Sequence, residues 1–248
     1  MRTTPSSKAL EAIHAASNKI LVSDENGEFA DYSFYHSERL ALDYEWFVET
    51  VKKTSSVLEI GGYPFFLTSA LKDRGYEIQT IDKLSLSATR LANQLGLQIT
   101  GCDIETEKLP FADDSFDEVI FNEVFEHLRI DPIFTMEEIH RVLKPSGRLW
   151  LSTPNLKSLR GIMNFLFKSE AWAIVGDGVY AQYKHLRTQG WMGHVREYTS
   201  KEVTDFLRSV GFKIEGVIYR GRYKNPAVHF ASSLVRSFKP YFSIVAKK

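Results

Sequence analysis

The sequence predicts an α/β protein: a doubly wound sheet of seven strands, mostly parallel, with the last strand antiparallel. Three observations lead there. Short apolar runs alternate with helical patterns of ~10 residues between Ser56 and Thr153. The first four runs end on, or just before, an acid or amide: Glu59, Asp82, Asp103 and Asn122. Two further strand-like runs close the chain, Lys213–Tyr219 and Tyr241–Ala246.

Residues 1–53 read as an N-terminal helical extension. A short helix is expected over Ser7–Ala16, then a polar, turn-rich stretch around Asp24–Gly27. A second helix is expected over 39–53, where Leu40, Leu42, Trp46, Phe47 and Val51 fall near helical spacing. The main domain then runs over 54–248. Its first strand is Ser56–Ile60. A helix follows over Pro64–Arg74, with Pro64 suited to the first turn and Gly75 ending it. Strands Glu77–Ile81 and Gln98–Cys102 flank a helix over Ser85–Leu95. Strand Phe116–Phe121 leads to helix Pro132–Leu143, which Pro145-Ser146-Gly147 stops before strand Arg148–Thr153. The pattern breaks over about 156–198, read as a lid insert that starts with a helix over 156–168. Helix Ser200–Val210 opens at Thr199 or Ser200 with Glu202 in support. A helix over Pro226–Val235 joins the two closing strands, which are expected to pair antiparallel at the sheet edge.

Composition narrows the function. The formal net charge is zero, so no bulk attraction to nucleic acid is indicated. One cysteine, Cys102, makes no internal disulfide and no zinc pattern, which fits a reducing cytoplasm. The first residues lack the apolar core of a signal peptide, and no run of ~18 apolar residues spans a membrane. The acids at 113, 114 and 117 lack calcium-loop spacing, and no metal site is expected.

In open sheets of this kind the ligand lies beyond the carboxyl ends of the strands. That rule selects residues 59–64, 82–83, 102–104 and 122–127. Gly61-Gly62 let the chain turn sharply and approach a ligand. Asp82, 23 residues after Glu59, is placed to accept both hydroxyls of a ribose. Asp103, or the backbone near Ile104, is placed to meet an adenine.

At these residues the chain resembles the class I methyltransferases, over about residues 55–154. Val57-Leu58-Glu59-Ile60-Gly61-Gly62 looks like their first motif, and Leu109–Asp117 like the approach to the fourth strand. Asn122–Leu128 and Glu137–Gly147 look like the segments that follow. The resemblance implies a Rossmann-like fold and S-adenosylmethionine as cofactor. It implies Glu59 and Gly61 near the methionine part, Asp82 on the ribose, Asp103 and Ile104 beside the adenine, and Asn122 on the floor. Gly62, Tyr63, Lys83 and Glu123 complete the expected cofactor set. Tyr63 and Phe65 stand where the family commonly has glycines. The form Gly-Gly-Tyr-Pro resembles a minority variant, which leaves open weaker binding or a non-catalytic binding module. A dinucleotide enzyme needs close backbone approach to a pyrophosphate. A sulfonium cofactor has no phosphates and tolerates this loop better.

The expected reaction is methyl transfer to a hydroxyl of a sugar, glycan or glycolipid precursor. The alternative acceptor is a quinone, lipid or natural-product precursor, methylated at O, N or C. A hydroxyl acceptor benefits from a base, and histidine titrates near neutrality. Of seven histidines, His127 and His194 stand in context. Gly193-His194-Val195-Arg196-Glu197-Tyr198-Thr199 resembles a segment of methyltransferases from polysaccharide and glycolipid gene clusters. That resemblance implies His194 as general base, with Arg196 facing the acceptor. Trp191, Tyr183 and Tyr198 are further expected acceptor contacts. Residues 157–198 hold six Lys or Arg against three acids, and many aromatics. Aromatic faces suit sugar rings, and cations suit carboxylates or phosphates. Asn122-Glu123-Val124-Phe125 stands in place of the segment expected for methylation of nucleic-acid bases, so nucleic acid is not an expected partner. The apolar run Ile162–Phe167 leaves open peripheral membrane contact or a homodimer face.

Overall fold

The computed structural model describes residues 4–22, 29–83, 85–174, 178–189 and 193–248. Seven strands form one sheet in the order β3-β2-β1-β4-β5-β7-β6. These are β1 (Val57–Ile60), β2 (Ile78–Asp82), β3 (Ile99–Gly101), β4 (Phe116–Asn122), β5 (Leu143–Pro154), β6 (Lys213–Arg220) and β7 (Tyr241–Lys247). β1 to β5 pair parallel, and β7 pairs antiparallel with both β5 and β6. The closing strands therefore do pair antiparallel, but β7 inserts beside β5 and leaves β6 on the edge.

Strand periodicity splits the core into two layers. Leu58, Phe121, Leu151 and Ile244 face one side, under α5 (Pro132–Val142) and α8 (Ser200–Val210). Val57, Ile120, Trp150 and Val245 face the other, under α1 (Ser7–Val22), α2 (Ala30–Thr50) and α3 (Phe66–Asp73). Glu59 shares the parity of Val57, so its carboxylate is delivered to the α3 side. The α8 start is a full capping box: Thr199 accepts from the Glu202 amide while Glu202 accepts from the Thr199 amide.

Several helix limits differ from the sequence reading. α1 runs on to Val22, and α2 begins at Ala30, nine residues before the expected start at 39. The first half of α2 buries Ser33 and Arg39 before the stripe of Leu40, Tyr44 and Phe47 begins, so no apolar pattern marks its start. α3 begins at Phe66 and not at Pro64. Phe65 takes a left-handed φ of 68°, so helical geometry sets in only after it. The insert contains α6 (Leu159–Lys168) and a helix missed in the sequence, α7 (Val179–Gln189), which lacks an apolar stripe. The insert is pinned where it leaves and rejoins the sheet: Asn155 bridges to Tyr198, and its side-chain amide donates to the carbonyls of Ser237 and Lys239, each at 2.8 Å.

A buried charge network ties α2 to the strand ends. Arg39 lies 2.7 Å from Glu123, and Arg220 lies 2.6 Å from Asp43. Arg220 also donates to the Arg39 carbonyl at 3.1 Å and stands 3.8 Å from Glu123. Both arginines are at most 3% exposed. Breaking one partner of such a network strands the others without water. Arg220→Met is therefore expected to cost about 3–5 kcal/mol, read as a lower urea midpoint with unchanged slope.

Candidate functional site

The C-terminal ends of β1, β2 and β4 converge, and each delivers an acid. β1 ends through Gly61, whose φ is +70° and whose amide donates to the Ile81 carbonyl at 2.8 Å. A Cβ on Gly61 would stand 2.5 Å from Val124 Cγ2, and one on Gly62 would stand 2.9 Å from Glu59 Cδ. Gly61 thus requires glycine for backbone and for space, and Gly62 for space.

Glu59 is 3% exposed, and the Thr68 hydroxyl on α3 donates to it. Burial pushes its carboxyl up to about 7, and the nearby carboxylates of Asp82 and Asp43 push the same way. A buried acid under that pressure suits a cationic ligand, and S-adenosylmethionine carries its positive charge at the sulfonium and amino groups. Asp82 accepts the Tyr63 amide at 3.1 Å and the Lys83 amide at 2.7 Å, one on each oxygen. A carboxylate has about four acceptor positions, so two remain for a pair of hydroxyls. Burial raises its pKa as well.

Tyr63 and Phe65 do not fill this space. Phe65 is wholly buried in the α1/α2/α3 core, and the Tyr63 ring packs edge-on between Phe29 and Phe65 at 5.4 and 5.7 Å. What faces the ligand side of the loop is backbone. Lys83 pairs with Asp103 at 3.0 Å, and that bond above all holds the Asp103 carboxyl below its usual range. Ile104 packs at the margin of the second core layer, and its carbonyl accepts from Thr135 at 3.0 Å. Asn122 closes β4 and lines a narrow cleft with Asp43, Trp46 and Trp150.

Two expected site residues are committed elsewhere. Glu123 has a φ of 56°, which turns its carboxylate onto Arg39, Arg220 and the Ser152 hydroxyl. Burial opposes its charge, yet Arg39 and Arg220 hold its carboxyl below the usual range. Its charge is thus balanced within the protein. Tyr198 is partly buried and packs on Phe125 at 4.9 Å, against the second core layer. Arg196 is exposed, lies over the Tyr198 ring and pairs with Glu202 at 2.6 Å. Tyr183 is exposed on α7. Trp191 lies outside the described residues.

Beyond β4 a single helical turn, Phe125–His127, brings up a second group. His127 and His194 face each other with ring centroids 5.0 Å apart. His194 Nδ1 lies 3.0 Å from Glu197 Oε1, and its Nε2 lies 3.9 Å from Glu126 Oε1. His127 Nδ1 lies 3.1 Å from the Gly193 carbonyl. The amides of Val195 and Arg196 donate to the Glu126 carbonyl, which fastens the His194 segment to the strand end. Glu126 is 1% exposed, and burial holds its carboxyl well above the ordinary range. Sequence reasoning selected both histidines but missed Glu126, Arg39 and Arg220. Glu126 stood inside the Asn122–His127 segment, whereas the arginines gave no local signal.

Residues 58–151 match a family described as a methyltransferase domain. The chain is 29% identical over 171 residues to the ubiquinone/menaquinone biosynthesis C-methyltransferase UbiE of Geotalea daltonii, covering 67% of this chain and 65% of that protein. It is 31% identical over 173 residues to a ubiquinone biosynthesis O-methyltransferase of Ruegeria pomeroyi, covering 68% and 64%. The match thus spans a little under two thirds of either relative's length. Among solved structures, the 1,6-didemethyltoxoflavin-N1-methyltransferase of Burkholderia thailandensis, bound to 1,6-didemethyltoxoflavin and S-adenosylhomocysteine, shares the fold. Its TM-score is 0.58 at 16% identity, over 96% of this chain and 89% of that one. Residues 58–151 thus carry a methyltransferase domain, and S-adenosylmethionine is the cofactor of that family. These relatives carry quinone-biosynthesis names, and none of the three proteins is named for polysaccharide work.

Two outcomes are expected. Asp82→Ala should weaken S-adenosylmethionine by ~10–100-fold, through lost hydrogen bonds to a charged acceptor, measured by calorimetry. Glu59 should shape stability with pH. Its carboxyl rises on folding from 4.5 to about 7, so between those values the folded state keeps a proton that the unfolded chain has lost. Glu59 therefore costs stability increasingly as pH rises through that window, and by a constant amount above it. Relative to wild type, Glu59→Gln should gain about 2–4 kcal/mol on going from pH 4.5 to pH 8, measured by urea unfolding.

Proposed function

We propose that this chain transfers the methyl group of S-adenosylmethionine to a hydroxyl of a small-molecule acceptor. The observation that carries this reading is the His127–His194–Glu126 cluster at the end of β4, beside the acidic strand ends. Bound S-adenosylmethionine supplies an already activated methyl, so the chain's own work is to bind, orient and handle a proton. Glu197 accepts from His194 Nδ1, which fixes the proton on that nitrogen and leaves the Nε2 lone pair on the cluster side. His194 is the group to take up the acceptor proton, and His127 packs against it.

The names of the relatives favour a ring hydroxyl of the kind found in quinone precursors. The locally basic insert, with Tyr180 and Tyr183 exposed on α7, supports a sugar or glycan hydroxyl. Release of S-adenosylhomocysteine decides between them when catechol-type phenols and sugar nucleotides are screened side by side. Turnover confined to amine or carbon acceptors would sink the hydroxyl reading. With the true acceptor, His194→Ala should lower kcat by ~100-fold or more, the scale of lost general-base catalysis. Cofactor affinity should stay within about twofold of wild type, because on this reading His194 meets the acceptor and not the cofactor. No helix among the described residues is long and apolar enough to cross a membrane.

A further inference from the structure

We propose that Glu126, His127 and His194 bind a divalent first-row transition-metal ion at the end of β4. One carboxylate oxygen and one ring nitrogen from each histidine all lie within 4.8 Å of one another. Bonds of ~2.0–2.2 Å at tetrahedral or octahedral angles place neighbouring ligands ~3.0–3.6 Å apart, so side-chain shifts of ~1 Å complete the set.

Two independent observations point to a cation. The first is Glu126 itself. Its Oε2 accepts from Thr153 at 2.9 Å, while Oε1 is buried without any hydrogen-bond partner and faces His194 Nε2. A carboxylate oxygen removed from water and left bare is costly. A metal bond satisfies it. The second is the support behind His194. Glu197 holds its Nδ1, and Glu197 is in turn held by the amides of Ala173 and Ile174. A carboxylate on the far nitrogen is the outer arrangement that orients a metal-bound imidazole and raises its basicity.

The donor set selects the metal. Two imidazoles and one carboxylate, with further positions open, suit iron, manganese, cobalt or zinc. Magnesium and calcium prefer oxygen donors. The sequence spacing concealed this group, because His194 returns from the far end of the insert.

The cation's role, though not its binding, rests on the hydroxyl-transfer reading. A hydroxyl held on an open metal position ionises more readily. Its O–H bond breaks, the proton leaves to solvent water, and the electron pair left on oxygen forms the bond to the methyl as the sulfonium C–S bond breaks, its pair staying on sulfur as S-adenosylhomocysteine leaves. The His194 lone pair is then a ligand, and the metal replaces it in stabilising the alkoxide or phenolate. An acceptor with two adjacent oxygens, such as a catechol, would chelate the ion and be oriented by it.

The full chain, stripped with chelator, is titrated with Co2+ and followed by visible absorption and calorimetry. The expected result is one equivalent bound with nitrogen-ligand absorption, weakened ~100-fold in both Glu126→Gln and His194→Ala, and ~10-fold in Glu197→Gln. Thermal unfolding of each variant confirms that it is folded. Absence of binding in the wild type, or equal binding in the folded variants, overturns the proposal. Titration of the wild type with S-adenosylhomocysteine keeps the two readings apart. If the cofactor product fails to bind while Co2+ does, the methyl-transfer reading falls and the metal site stands.

Discussion

Two guanidinium groups and two carboxylates share a space that water hardly reaches. Arg39 and Arg220 together balance Glu123 and Asp43. None of the four can be removed alone without stranding a charge, and that constraint sets much of the architecture. α2 cannot drift, because two of the four charges belong to it. The end of β4 cannot relax, because Glu123 must turn inward to meet them. The edge strand β6 is held at its last residue, Arg220. One network therefore fixes the N-terminal helices, the centre of the sheet and its far edge to each other.

The same network explains why consecutive acids at the end of β4 behave so differently. Glu123 is buried among cations and stays ionised. Glu126, three residues on, is buried with a hydroxyl and a histidine and is pushed toward its neutral form. Glu59, at the end of β1, is likewise pushed up by burial. The strand ends thus present acids that want positive charge, while the charge that the chain itself supplies is consumed one turn away.

The sheet was legible in the sequence because its signals are local. Each parallel strand is a short apolar run closed by a polar residue, and each crossover helix carries its own stripe. The acids at Glu59 and Asp82 were legible for the same reason: strand parity and strand end follow from position alone. The first half of α2 was not, because its buried face is polar and recognises a partner nearly two hundred residues away. α7 was not, because no stripe marks it. Tyr63 and Phe65 read as obstructions in one dimension, yet in three they turn into the protein and leave backbone behind. The pairing of Glu123 with two arginines was not legible, because a left-handed φ redirects its side chain and sequence does not announce that conformation at a glutamate.

The insert is anchored at its two ends and carries His194 at its returning limb. Asn155 and Tyr198 pair at its base, and the amides of Val195 and Arg196 lock the limb to Glu126. Within the insert, the amides of Ala173 and Ile174 add a third hold, through Glu197, on the histidine. Such a layout is modular: exposed α7 can drift while the clustered side chains beneath keep their places. A lineage built on it can exchange part of a cassette without rebuilding the frame that holds it.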